Sequence, residues 1–202
     1  MAIRIALRRT AGIVAAWALT AGVALAHPGH PPGTGHDAFS AGLLHPLTGF
    51  DHLCAMLAVG LWAALTHQGL RQALWTPASF LVLLLAGALA GMAGLHPPAI
   101  EPVIMASLLV LGLLIAGRRT MGTGAGAALA GFFAVFHGIA HGAELSPGDS
   151  AAAFIAGFML TTCALHAVGL AAGFAMKRSG AWPARLAGAG IAAYGLALFA
   201  GV

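Results

Sequence analysis

Ala99-Ile100-Glu101-Pro102-Val103-Ile104-Met105-Ala106-Ser107-Leu108-Leu109-Val110-Leu111-Gly112-Leu113-Leu114-Ile115-Ala116-Gly117-Arg118-Arg119 decides the fold class. From Pro102 to Gly117 no residue is charged, and a helix of about 20 apolar residues crosses the hydrocarbon core of a bilayer. An acid stands at one end and two arginines at the other. Lys and Arg collect on the cytoplasmic side of membrane helices. The stretch therefore carries its own direction, with Glu101 outside and Arg118 and Arg119 inside.

Similar stretches lie on both sides of it. Apolar runs at about 47–66, 74–95, 99–117, 124–143, 151–176 and 182–201 predict six transmembrane helices, an all-α polytopic membrane protein. Turn chemistry separates them: His67-Gln68-Gly69, His96-Pro97-Pro98, Ser146-Pro147-Gly148-Asp149 and Lys177-Arg178-Ser179-Gly180. The whole composition agrees. Hydrophobic residues make up 60% of the chain and charged residues 7%, against about 25% charged in a soluble domain. The mean hydropathy is +0.93. With an outside start, the inner loops after spans one, three and five hold Arg71, Arg118, Arg119, Lys177, Arg178 and Arg185. All five acids (Asp37, Asp51, Glu101, Glu144, Asp149) fall in outer segments or near outer helix ends. A pI near 10.1 is thus a topology signal and does not point to a nucleic-acid partner; the partner surface is the lipid bilayer. Cys54 and Cys163 form no Cys-x-x-Cys motif. The 29 glycines suit close helix packing. Two sets of three helices must run in opposite senses, as in inverted-repeat transporters, but the halves do not align by eye.

Residues 1–26 read as a cleavable signal peptide: Arg4, Arg8 and Arg9, then an apolar stretch, then Ala24-Leu25-Ala26. The mature chain is then expected to begin His27-Pro28-Gly29-His30 outside the cytoplasm. Residues 27–46 form a His/Pro/Gly-rich periplasmic arm and helix entry, and 47–202 the six-helix domain, placed in a bacterial inner membrane. His27 and His30 are candidate metal ligands of the arm, helped by the free α-amine.

Ten histidines against one tyrosine is the anomaly of the composition. His45, Asp51 and His52 open the first span, with Pro46 suited to a first helical turn and His45 capping the entry. His45 and His52 are seven residues apart, about two turns, and can share a face. His137, His141 and Glu144 end the fourth span on one helical face. Topology puts both sets at the same outer depth. Such residues in a membrane protein are ordinarily hydrogen-bonded within the bundle. Six ionisable groups in two compact motifs point instead to a divalent metal site, since each buried charge is costly in lipid and imidazole suits Zn, Cu, Fe and Ni. On the fifth span, His166 with Met159 and Cys163 forms a softer stripe deeper in the membrane, a candidate transit site.

On these residues the sequence resembles the HupE/UreJ family of hydrogenase and urease accessory membrane proteins. The likeness is carried by His27-Pro28-Gly29-His30, by His45-Pro46-Leu47-Thr48-Gly49-Phe50-Asp51-His52, and by Phe136-His137-Gly138-Ile139-Ala140-His141-Gly142-Ala143-Glu144. The resemblance implies a nickel permease whose transported ion is Ni2+, with Co2+ or Zn2+ as other divalent substrates, and nickel-enzyme maturation proteins as partners. It implies no enzyme. Cys54 stands where relatives are expected to be apolar. Two other readings use the same residues: a metal-binding accessory protein without transport, and a membrane-embedded zinc hydrolase. No nucleotide-binding loop of the G-x-x-x-x-G-K-[ST] type occurs.

Amino-terminal sequencing of the membrane-extracted protein is expected to begin at His27. Reporter fusions at Arg71 and Arg119 are expected to read as cytoplasmic and one at Val202 as periplasmic; a cytoplasmic Val202 rules out the six-span topology.

Overall fold

The structure is a computed structural model that describes residues 35–145 and 150–201. The expected signal peptide, His27 and His30 lie outside the described residues. Among the described residues every regular element is a helix: α1 Gly35–Thr48, α2 Phe50–Thr66, α3 Leu70–Ala73, α4 Trp75–Met92, α5 Ile100–Ala116, α6 Thr123–Glu144, α7 Ala151–Arg178 and α8 Trp182–Ala200. All six stretches read as spans are helical. By length and composition four helices are candidate spans: Leu70–Met92, Thr123–Glu144, Ala151–Arg178 and Trp182–Ala200. The bent pair α1–α2 makes a fifth if counted as one span. At 17 residues, α5 is shorter, about 26 Å long at 1.5 Å per residue.

The first departure from the sequence reading is at the entry to the domain. Pro46 does not start a helix: α1 already runs from Gly35, and Pro46 lies inside its last turn. Proline lacks an N–H, so the bond that position 46 would donate to the Gly42 carbonyl is missing, and the helix ends two residues later at Thr48. Gly49 is extended (φ −90°, ψ 111°) and caps α2. The chain turns by 79° between the two helices. Gly42 and Pro46, one helical turn apart, are the buried face of α1, and a Cβ on Gly42 would overlap the Phe154 carbonyl of α7. That close seat on α7 holds α1 where it is.

The same small-residue chemistry builds the rest of the bundle. The most extensive helix contacts are α4 with α6, α2 with α7 and α5 with α8. In the α2–α7 pair, a Cβ on Gly60 would overlap the His166 carbonyl and stand 2.8 Å from the Leu170 amide nitrogen. A Cβ on Gly169 would overlap the Leu57 carbonyl and stand 3.0 Å from the Leu61 nitrogen. In the α4–α6 pair, Gly138 meets the Leu84 carbonyl and the Ala88 nitrogen at 2.7 Å, while Gly87 meets the Val135 carbonyl and the Ile139 nitrogen at 3.1 Å. The two contacts use the same atoms at the same spacings. Each glycine abuts the carbonyl three residues before, and the amide one residue after, the glycine of its partner helix. Both pairs are parallel.

Exchanging α2, α4 and α5 with α6, α7 and α8 maps the first pair onto the second. The same exchange maps the antiparallel α5–α8 pair, joined at Gly112–Ala192 and Gly188–Ala116, onto itself. Because α2 and α6 run in opposite senses, these three pairings share an inverted symmetry, although the α2–α5 contact has no comparable counterpart between α6 and α8. The symmetry was invisible in the sequence because it is carried by backbone approach at glycines and not by matching side chains.

The bundle is polarised. Trp62 Nε1 donates to the Arg119 carbonyl at 2.9 Å, and Lys177 donates to the His67 carbonyl. These contacts gather the inner ends of α2, α5 and α7 with Arg118, Arg119 and Lys177. Asp51 and Glu144 lie at the opposite end, with the start of α2 and the end of α6.

Leucine at Gly60 or at Gly138 is expected to destabilise the protein by more than the roughly 1–3 kcal/mol of ordinary overpacking, because the obstacle is backbone. Leucine at Gly190, which has nothing within 4 Å, is expected to leave the melting temperature of detergent-solubilised protein unchanged.

Candidate metal centre

Four imidazoles meet where the end of α1, the start of α2 and the end of α6 converge on the first turns of α7. The bend at Gly49 brings the first two together. Seven residues along one straight helix would separate them by about 10.5 Å; with the bend, the His45 and His52 ring centroids are 6.5 Å apart. The ring of His141 then sits 4.6 Å from that of His45 and 4.3 Å from that of His52. His137, one turn deeper on α6, is 5.2 Å from His52. Phe154 and Phe158 of α7 close the other side, at 5.4 and 6.0 Å from His45, and Phe158 is 4.7 Å from His141.

The carboxylates take different places. Asp51 Oδ1 is 3.1 Å from His52 Nδ1. A carboxylate accepts, so His52 donates from Nδ1 and its Nε2 is left as a bare lone pair. Metal-binding histidines are commonly oriented by a carboxylate in this way. A Cβ on Gly49 would press on this pair, 3.0 Å from Asp51 Oδ1 and 3.1 Å from His52 Nδ1. Glu144 is at the rim, with its side chain 66% exposed and Oε2 at 4.0 Å from both His45 Nε2 and His141 Nδ1.

His45 Nε2 and His141 Nδ1 are 2.9 Å apart, a hydrogen bond in which the N–H of one ring meets the lone pair of the other. With Glu144 the two rings offer three ligand atoms within 4.8 Å of one another. Around them His52 Nε2, His141 Nε2 and His137 Nδ1 are buried without a hydrogen-bond partner. An unpaired buried polar atom costs of order 1–3 kcal/mol, and three in one cluster mark a place built to hold something else.

His166 is not in this cluster. It lies deeper on α7, 2% exposed, with both ring nitrogens unpartnered. Phe80 of α4 stands between, its ring 5.1 Å from His166 and 5.9 Å from His137. The stripe expected on α7 does not hold. Cys163 is exposed, while the buried positions are Phe158, Thr162 and His166. Met159 packs in the hydrophobic core, and Cys54 is half-buried and free.

Sequence reading missed two contributors. Phe80 looked like any apolar residue of a span. Ser107 is the lone hydroxyl within α5, buried, and its Oγ is 3.1 Å from His137 Nε2; a single serine in a membrane helix carries too weak a signal to be picked out.

An all-helical protein with apolar spans and an imidazole–carboxylate cluster at one end of its bundle belongs to the class of polytopic membrane proteins with a polar site inside the bundle. The comparisons name the family. Residues 15–198 match the family model HupE / UreJ protein. The chain is 38% identical over 182 residues to Protein HupE of Rhizobium leguminosarum bv. viciae, covering 89% of this chain and 91% of that one. The chain belongs to the HupE/UreJ family. No solved structure matches it.

Proposed function

We propose that the protein imports a divalent transition-metal ion, Ni2+, across the bacterial inner membrane and so supplies hydrogenase or urease maturation. In this reading the chain spans the membrane six times after loss of its signal peptide. Its mature amino terminus and the imidazole cluster face the periplasm, and the arginine-rich end faces the cytoplasm. The nickel assignment draws on the family; donor chemistry by itself supports a divalent metal of the imidazole-binding group.

One observation carries the proposal: four imidazoles from α1, α2 and α6 converge, and three of their nitrogens are buried with no protein partner. Glu144 and His45, at the exposed rim, meet the hydrated ion first. His141 and His52 then replace its waters with neutral nitrogen donors. His137 hands it toward His166, and the Phe80 ring must turn aside for it to pass. His27 and His30, at the free amino terminus, capture the ion before it reaches the rim. A static binding protein has no need of His166, whose two unpartnered nitrogens lie beyond Phe80. Inverted symmetry between helix pairs is also found in transporters in which one half rocks against the other around a central site.

Replacement of His52 or His141 by alanine is expected to abolish Ni2+ uptake into vesicles reconstituted with the purified protein, at unchanged membrane levels. Loss of a direct ligand should weaken Ni2+ binding beyond the roughly 10–100-fold typical of outer-shell changes. Wild-type uptake by both variants overturns the site. Tight Ni2+ binding by the unmodified protein with no flux into vesicles overturns transport in favour of the accessory role.

His166→Ala is expected to leave Ni2+ affinity at the outer cluster near wild type and to lower the uptake rate. Unchanged flux in that variant removes His166 from the path.

A further inference from the structure

We propose that Ser107 is a positioning residue that fixes His137 as its Nε2–H tautomer, so that the nitrogen offered to the metal is Nδ1. The functional consequence rests on the metal-import reading; the tautomer itself does not.

The argument follows a single proton. Ser107 Oγ lies 2.6 Å from the Ile104 carbonyl oxygen and 3.1 Å from His137 Nε2. Ser107 and His137 are both fully buried, so water does not compete. Two oxygens 2.6 Å apart repel unless a hydrogen lies between them, and a carbonyl has none to give. The serine hydrogen is therefore on the Ile104 side. What Ser107 turns toward His137 is a lone pair, and His137 Nε2 must donate to it. A neutral imidazole carries one N–H, so its Nδ1 is bare. That atom is one of the three unpartnered buried nitrogens of the cluster, in a ring 5.2 Å from His52. A second proton on it would leave a buried cation with an unused donor, at high cost.

His52 is set by the mirror-image arrangement. Asp51 takes its Nδ1 hydrogen and frees Nε2. The two rings thus offer opposite nitrogens, one oriented by a carboxylate on its own helix and the other by a hydroxyl on α5. Phe80 packs against the His137 ring at 5.9 Å but cannot choose between tautomers, because its ring edge offers no acceptor. Among the described residues, Ser107 makes the only side-chain hydrogen bond to His137. Its removal leaves both tautomers open.

The test uses the whole purified protein in nanodiscs. Nitrogen-15 NMR of histidine-labelled, metal-free protein, with His137 assigned by its loss in His137→Gln, is expected to show a protonated Nε2 and an unprotonated Nδ1. Ser107→Ala is expected to give a mixture of tautomers, with Ni2+ binding, measured with the metal alone, weakened about 10–100-fold. Ser107→Thr, which keeps the hydroxyl, is expected to restore both. A protonated Nδ1 in the unsubstituted protein overturns the proposal without reference to any variant. So does a Ser107→Ala protein with the wild-type tautomer and affinity. If the unsubstituted protein binds no Ni2+ yet shows the Nε2–H form, the import reading fails and the tautomer assignment stands.

Discussion

Helix backbones in this protein touch. At Gly60, Gly87, Gly138 and Gly169 there is no room for a Cβ, because a carbonyl oxygen of the neighbouring helix occupies its place. In lipid there is little hydrophobic drive between helices, so contact area and close approach supply the association. The rest of the structure depends on that approach. It sets α2 parallel to α7 and α4 parallel to α6, and it fixes the height of His137 and His141 on α6 against α4. By seating α7 it also positions Phe154 and Phe158, the wall against which His45 rests. A bulkier residue at any of the four glycines would push the two helices apart, because the atom it meets is backbone and cannot turn aside.

The second constraint is electrostatic. Within the hydrocarbon layer a polar group must find its partner inside the protein. Most do here: Ser79 donates to Ala127, Thr161 to Leu43 and Thr162 to Phe158. Besides the hydroxyls of Thr66 and Thr76, the exceptions are imidazoles: His52, His137 and His141 in the cluster, and His166 deeper on α7. His52 and His137 each use one nitrogen to satisfy a neighbour and keep the other bare, and His166 keeps both bare. The stability of the bundle comes from elsewhere, and neutral imidazole lone pairs are donors of the kind that suits Zn, Cu, Fe and Ni.

Much of this was written in the sequence. The apolar runs located six helices to within a few residues, since their lengths match a bilayer and charged residues interrupt them only at the ends. The spacing of His137, His141 and Glu144 put them on one face of one helix, because 3.6 residues per turn leaves no other choice. The first motif was read less well. His45 and Pro46 looked like a helix entry, whereas they close α1, and the 79° turn at Gly49 is what gathers His45 and His52. A glycine between two helical stretches does not announce its angle; the packing of α1 on α7 sets it. Met159 and Cys163 shared a helical stripe with His166 on paper, but the boundary between lipid and core runs between Cys163 and His166.

The sequence by itself determined the apolar character of the chain, its helices, and which imidazoles and carboxylates share a helical face. Each of these follows from local composition and from the period of the helix. Tertiary structure alone decided which rings touch, that Ser107 and Phe80 belong beside them, and that His166 stands apart. Those are contacts between residues far apart in the chain, as Thr161 and Leu43 are at 118 positions, and no local pattern encodes them. They come from shape, where a missing side chain on one helix admits the backbone of another.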